Sequence, residues 1–431
     1  MSKLLPIKLT SEDTFLTSKL EQLKKKIIRL PAGILKHAWL VPGGPYEQAW
    51  DWDTFFIGIA LTYNNGGELL RDSLLNFVDL IQEDGHAPWV ITSTESGLGK
   101  PQQCKPFLCQ GALIASKSLG DFNWLNPYYT KLKATLKYWE ANRKAPNGLF
   151  KWWDGLESGV DNNPAVLEFA ENTVEGVDLN SYLYREYKAL ALIAKHLDYQ
   201  EDANLYRNKA ERLKELIEEL MWDTEDKMYY NIDSTTGQRI KVKTWTNFIP
   251  LWAAIASKEH AKATIETHLL SKDEFWSAFG IRSLSKDDPC YNQANIIKPF
   301  SNAQGPVWVI TNYLLMHGLI NYGFRVEALE LSNKIQKLLK NDIKYTNGMH
   351  ECYNAETGDP LAAPNFIGWN LLAETMSLEA KLGFNPSAID ESLFAFNPMH
   401  SDLEAQFYIG GHLFEISMNS HLDLKIKMKS P

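Results

Sequence analysis

Between residues 15 and 383 the sequence carries about twelve helically patterned segments, and they alternate in kind. Some, such as GPVWVITNYLLMHGL at 305 to 319, are apolar almost all round. Others, such as DANLYRNKAERLKELIEEL at 202 to 220, have one apolar stripe and a charged face. A helix without a polar face must be covered on every side, and a striped one must lay its stripe on a core. The pattern therefore predicts an all-α ring, with an inner set of buried helices wrapped by an outer set that meets water.

The remaining helical segments fall at 15–30, 52–63, 68–85, 111–119, 126–143, 180–197, 246–257, 260–270, 325–342 and 366–383. In the segment at 68–85, Leu70, Leu74, Phe77, Val78 and Ile81 share one face, and Gly85 is the expected stop. Two stretches alternate like strands, 227 to 243 and 412 to 429. In the second, Leu422, Leu424, Ile426 and Met428 interleave with Asp423, Lys425, Lys427 and Lys429, which predicts a hairpin. No linker rich in Pro, Ser or Gly interrupts the chain. One domain over 1–431 is expected, with 385–431 as a C-terminal extension that holds the hairpin.

The 431 residues include 44 Lys+Arg and 53 Asp+Glu, a formal net charge of −9. That balance argues against a nucleic-acid partner, which requires clustered cations. Cys104, Cys109, Cys290 and Cys352 form no CxxC spacing and no disulfide density, so neither a zinc site nor a covalent staple is indicated. The N-terminus lacks a secretory apolar run, and no stretch is long enough to span a bilayer. A cytoplasmic protein without a membrane partner is expected, its oligomeric state open.

Chemistry-bearing residues crowd into loops. PGGPYEQAWDWDTFF at 42–56 gathers Tyr46, Trp50, Asp51, Trp52 and Asp53. GLFKWWDGLESGVDNNP at 148–164 holds Asp161 and Asn162. Two further loops lie at 295–313 and 347–360, the latter placing Glu351 between His350 and Tyr353. Aromatic faces beside carboxylates suit a sugar, whose C–H patches stack while its hydroxyls accept and donate hydrogen bonds. Each loop also has a plainer reading: AWDWDTFF as core, Asp161 as a cap for the next segment, Glu351 as a solvated acid. The chain has no GxGxxG or GxxxxGK[ST] phosphate cradle, no HExxH and no GxSxG. Carboxylate acid–base chemistry remains.

At these loops the sequence resembles the (α/α)6-barrel glycoside hydrolases of the trehalase and processing-glucosidase superfamily, and most nearly the bacterial mannosylglycerate and glucosylglycerate hydrolases of family 63. PGGPYEQAWDWDTFF is similar to the family's WDxxF entrance motif, ESGVDNNP to its SGxDNSP motif, QCKPFLCQ to its KPP-xxxQ segment and QGPVWVITNYLL to its RGPxWxxxNY segment. HECYNAETGDP followed by FIGWNLL resembles its base loop and the tryptophan-bearing helix after it. The resemblance implies Asp161 as general acid and Glu351 as general base of an inverting hydrolysis, with carboxyls ~6.5 to 9.5 Å apart. It further implies Tyr46, Trp50, Trp52, Asp53, Lys105, Gln110, Asn162, Gln304, Gly305, Trp308, His350 and Trp369 as substrate-binding residues. No metal and no organic cofactor is implied.

Two positions depart from the pattern. Asn163 stands where the family has Ser, and Gln304 where RGPxW has Arg, which removes a fixed charge and a five-donor fork. A glycerate aglycone would need a cation or several donors, for which Lys105, Arg282, Lys298 and Tyr46 are candidates. The expected activity is an inverting α-glycosidase acting on a small α-glucoside or α-mannoside, led by glucosylglycerate and mannosylglycerate. The alternatives are a trehalose- or kojibiose-like disaccharide, a sugar 2-epimerase with histidine proton shuttles, and a non-catalytic sugar-binding protein.

Overall fold

The computed structural model describes residues 4–9, 14–296, 301–391 and 396–429. Lys298 lies outside the described residues. The twelve helical segments all form: α1 (Thr14–Lys24), α2 (Asp51–Leu61), α3 (Gly67–Asp79), α4 (Leu108–Leu119), α5 (Tyr129–Asn142), α6 (Val177–His196), α7 (Gln200–Leu216), α8 (Ile249–Trp252), α9 (Lys258–Thr264), α10 (Val309–Asn321), α11 (Arg325–Thr346) and α12 (Met376–Leu382). A 3-10 turn leads into α8 at Trp245–Phe248, and another into α12 at Gly368–Glu374.

Even-numbered helices form the inner ring. Every residue of α2 is buried, whereas α7 buries only Ala203, Tyr206, Ala210, Leu213 and Leu216. In the inner ring α2 touches α4, α4 touches α6, and the contacts pass through α8 and α10 to the 368–374 turn, which returns to α2. Polar residues on inner helices survive burial because they find partners. On α10, Asn312 accepts from the Ile281 amide and donates to the Trp308 carbonyl, both at 2.7 Å. Inner and outer layers meet closely: a Cβ on Gly58 of α2 would stand 2.3 Å from Leu70 of α3.

An alternating ring has a consequence for function. Each inner helix runs in the same direction, so the loops that enter the inner helices collect at one end. Trp50, Lys105, Asp161, Trp245, Trp308 and Glu351 all sit in those loops.

Two helix ends differ from expectation. The first helix stops at Lys24 and not against Pro31, because Ile28–Arg29 pairs as a strand with Trp39–Leu40. The third stops at Asp79. Gly85 makes the following turn instead, at φ +92°, pressed so close to the Ala134 carbonyl of α5 that a Cβ would overlap it.

The hairpin at 412–429 forms as strands His412–Met418 and Leu424–Lys429, and belongs to a larger sheet. Leu403–Ile409 pairs with the first of these and Lys8–Leu9 with Leu403–Ile409, giving four antiparallel strands. The inward side chains Leu403, Ala405, Phe407, Ile409, Phe414, Ile416 and Met418 pack on Tyr63, Leu378, Leu382 and Phe384. Tyr63 follows the C-terminal end of α2, Leu382 ends α12, and the Gly410 turn abuts Ser118 near the end of α4. The sheet thus covers the end of the ring opposite the loops that carry Asp161 and Glu351. Among the described residues no helix is long and apolar enough to cross a membrane.

Candidate active site

The acid loop owes its shape to caps. Asp154 accepts from the Glu157 amide at 2.8 Å and starts one helical turn, and Asn163 accepts from the Ala165 amide at 2.9 Å and starts the next, with Pro164 in its first position. The cap is therefore Asn163, and Asp161 is left to turn into the ring. It accepts the Ser301 amide on Oδ2 at 2.9 Å.

Glu351 is positioned from behind. Asp342, near the end of α11, holds the His350 ring at 2.9 Å and accepts the Tyr353 hydroxyl at 2.9 Å, which pins the residues on either side of the loop acid. Cys352–Tyr353 then pairs antiparallel with Val307–Trp308, Trp308 opposite Cys352. The carboxyl of Glu351, 5% exposed, accepts hydrogen bonds on Oε2 from the Tyr46 hydroxyl at 3.1 Å and from the Ser301 hydroxyl. Tyr46 reaches it because the 42–46 loop is tied to the 363–368 segment: Pro42 accepts from both the Ile367 and Gly368 amides at 2.8 Å.

One serine touching both carboxyls keeps Asp161 Oδ2 and Glu351 Oε2 within roughly 9 Å of each other, a limit that admits the spacing of an inverting pair. Burial pushes both groups up, Asp161 to about 6 and Glu351 to about 7. The negative field of Asp161 also raises Glu351, while its two hydroxyl donors oppose the rise. Asp53, 5% exposed in the first turn of α2, is pushed well above the usual carboxylate range by burial and then by Glu351 and Asp51. Burial therefore brings the ionisation of both Asp161 and Glu351 toward neutrality.

Aromatic rings form the walls. Trp369 lies 5.7 Å from Trp52, 6.0 Å from Trp308 and 4.7 Å from Phe366, centroid to centroid. Trp52, Gly159, Asp161, Trp245, Trp308 and Thr311 line a narrow cavity beside the pair. Larger hollows open on the C-terminal sheet near Glu404, Ser417 and Lys425 and beside Glu219, Asp223 and Arg239, and neither has an aromatic lining.

Of the residues singled out by sequence, Tyr46, Trp52, Asp53, Asp161, Asn162, Trp308, Glu351 and Trp369 are brought together. Trp50 packs on Trp89 at 5.2 Å. Lys105 is at the edge, 5.6 Å from the Trp52 ring centroid, but its ammonium is committed to Asp51 at 3.2 Å and both side chains are buried. Four others are held by structural contacts. Gln110 is in the inner wall, where its amide serves the Pro106 and Tyr182 carbonyls and accepts from Arg185, so no part of it reaches the pair. The ring of His350 turns to Asp342. Gln304 braces loops, donating to the Asn162 carbonyl and accepting from Asn292 at 2.9 Å each. Gly305 is a packing glycine: at φ +146° a Cβ would stand 2.5 Å from the Asn292 carbonyl. Arg282 is likewise occupied, by Glu356 at 2.8 Å.

Sequence reasoning passed over Ser301, Asn302 and Trp245. Asn302 accepts the Trp308 indole N–H on its carbonyl at 3.0 Å and donates to Asn292 and Ala294. Trp245 opens the turn into α8, where Thr244 and Asn247 form a reciprocal cap, a pattern readable in TWTN. Among the described residues no group of three or more His, Cys, Asp or Glu is arranged to hold a metal ion.

Six helix pairs closed into a ring, with two buried carboxyls and tryptophan walls where the inner helices begin, define an (α/α)6 barrel of the glycoside hydrolase kind. Residues 46–369 match the model of the mannosylglycerate hydrolase MGH1-like glycoside hydrolase domain, and the chain belongs to that family. A mannosylglycerate hydrolase of Rubrobacter radiotolerans is 28% identical over 185 residues, 43% of this chain and 39% of that protein. The cytosolic neutral trehalase of Kluyveromyces lactis is 22% identical over 75% of this chain and 52% of its own length. The chain thus spans about half or less of these relatives. The solved structure of a GH63 mannosylglycerate hydrolase from Thermus thermophilus in complex with glucose shares the fold, with a TM-score of 0.67 and 21% identity over 84% of this chain and 99% of that one.

Proposed function

We propose that this chain is an inverting α-glycosidase of small α-mannosides or α-glucosides, with mannosylglycerate and glucosylglycerate as leading substrates. The observation that carries the reading is the convergence of Asp161 and Glu351 on Ser301 beside the Trp52, Trp308 and Trp369 walls.

In this reading Asp161 gives its proton to the glycosidic oxygen as the C1–O bond breaks. Glu351 takes a proton from a water that attacks C1 on the opposite face, so the configuration inverts in one displacement. Left to themselves, the two carboxyls balance the proton slightly toward Glu351. A bound glycoside shifts it, because the bridging oxygen accepts only from a protonated Asp161 while the water donates only to an ionised Glu351. Asp53 is the acceptor for sugar hydroxyls, and the indole faces take the C–H surface.

One observation favours a neutral aglycone such as the second glucose of trehalose. Lys105 and Arg282, described cations proposed for a glycerate carboxylate, are each paired with an acid, and Gln304 removes the family's arginine.

The test is incubation with mannosylglycerate, glucosylglycerate, trehalose and kojibiose, followed by NMR of the first anomeric proton to appear. Release of a β-anomer is expected. An α-anomer with no β-anomer beside it would overturn inversion, trehalose giving one of each because its leaving glucose stays α, and binding without turnover of any of the four would overturn the hydrolase reading.

A further inference from the structure

Ser301 is 3% exposed and sits where the acid and base loops meet. Its backbone N–H donates to Asp161 Oδ2 at 2.9 Å and its hydroxyl donates to Glu351 Oε2, which also receives the Tyr46 hydroxyl. The serine is itself held from the next residues along: the Ala303 amide donates to Asn162 Oδ1 at 2.7 Å, and Asn302 is fastened to Asn292 at 2.8 Å.

These contacts fall unevenly on the carboxyl oxygens. Both donors to Glu351 land on Oε2, and Oε1 receives none among the described residues. An oxygen already accepting two hydrogen bonds is a poor site for a proton, so the basic oxygen is the other one. Likewise Asp161 Oδ2 accepts an N–H, which places an acidic proton on Oδ1.

Building on the glycosidase reading, the geometry points to Ser301 as a positioning residue that selects the reacting oxygen of each catalytic carboxyl: Oδ1 of Asp161 to give the proton, Oε1 of Glu351 to take one from water. Tyr46 is its partner on the base side. The other titratable groups that bear on Glu351 are Asp161, the neighbouring thiol of Cys352, and Asp53 from α2, with Lys105 acting on Asp161 and Asp53. None of these is altered by changing the serine hydroxyl.

Ser301→Ala removes the hydroxyl and keeps the amide. The Glu351 carboxylate then loses a donor, its proton affinity rises, and the basic limb of the kcat/KM profile, which the higher of the two carboxyls sets, moves to higher pH while less of the pair carries its proton on Asp161. A roughly 10- to 100-fold fall in kcat is expected from loss of a hydrogen bond to a charged group, with a smaller change in KM. Ser301→Thr restores both rate and limb to near wild type. Ser301→Cys, with a weak donor of similar shape, gives an intermediate profile and serves as the reading if the alanine variant does not fold. Mannosylglycerate, glucosylglycerate and trehalose are the probes. A folded alanine or cysteine variant with the wild-type profile, or a threonine variant no better than alanine, would overturn the proposal.

If the wild-type protein turns over none of the three, the glycosidase reading falls separately. The serine is then tested by 13C NMR of carboxyl-labelled glutamate, with the Glu351 signal assigned by its loss in Glu351→Gln. Titration at higher pH in Ser301→Ala is the expected result, and coincident curves would refute the positioning role.

Discussion

Gln304 donates its side-chain amide to the backbone carbonyl of Asn162 at 2.9 Å, tying the segment that carries Ser301 and Trp308 to the turn that carries Asp161. The side chain therefore bears on the geometry of the acid. Gln304→Ala is expected to lower kcat about tenfold with little change in KM, because sub-ångström drift of a catalytic group weakens the transition state more than binding. A rise in KM at constant kcat would show instead that Gln304 contacts substrate.

Asp161→Asn and Glu351→Gln remove the proposed proton donor and acceptor while keeping shape. Each should lower kcat by about 10²- to 10⁴-fold. Steady-state rates on the best substrate of the panel check this, and a loss under about tenfold for either variant would remove that residue from its role.

The pH dependence follows from the two raised carboxyls. Below about 6 both are protonated and no base remains; above about 7 both are ionised and no acid remains. A narrow bell in kcat/KM with its maximum between those values is expected. A profile flat from pH 5 to 8 would contradict it.

Lys105 and Asp51 form an ion pair at 3.2 Å with side chains 3% and 2% exposed. Asp51 also accepts the Lys105 and Trp52 amides at 2.7 Å. Lys105→Met leaves that carboxylate buried without its cation and should destabilise the fold by about 3–5 kcal/mol. Urea unfolding measures it, and an unchanged midpoint would mean that the lysine is free to serve a substrate.

Asp53→Ala tests the sugar-facing acid. Loss of a buried hydrogen-bonding group for hydroxyls should reduce kcat/KM up to about tenfold, corresponding to about 1.4 kcal/mol. The measurement is specificity toward mannoside and glucoside, and both should suffer.

The ring was legible because its physics is periodic. Charge-free VITNYLL and striped NKAERLKEL can each occupy only one layer, so the alternation reads straight through to the inner and outer helices. Glu351 and Asp161 were legible through motif and loop setting. Ser301 was not, since a serine in a loop carries no pattern of its own and acquires its role only when two distant loops close on it. Gln110 and His350 matched family positions, yet identity of residue type does not fix where an amide or imidazole points; Arg185 and Asp342 decide that. The strand Leu403–Ile409 had a usable signal, with Leu403, Ala405, Phe407 and Ile409 alternating ahead of the Gly410–Gly411 turn, whose φ angles are +59° and +80°.

The four-stranded sheet leans on the ends of α2, α4 and α12 that face away from Asp161 and Glu351. Latching the circle is therefore work for one rim, and the two buried carboxyls belong to the other. A change confined to the mouth loops leaves every contact of that clasp in place.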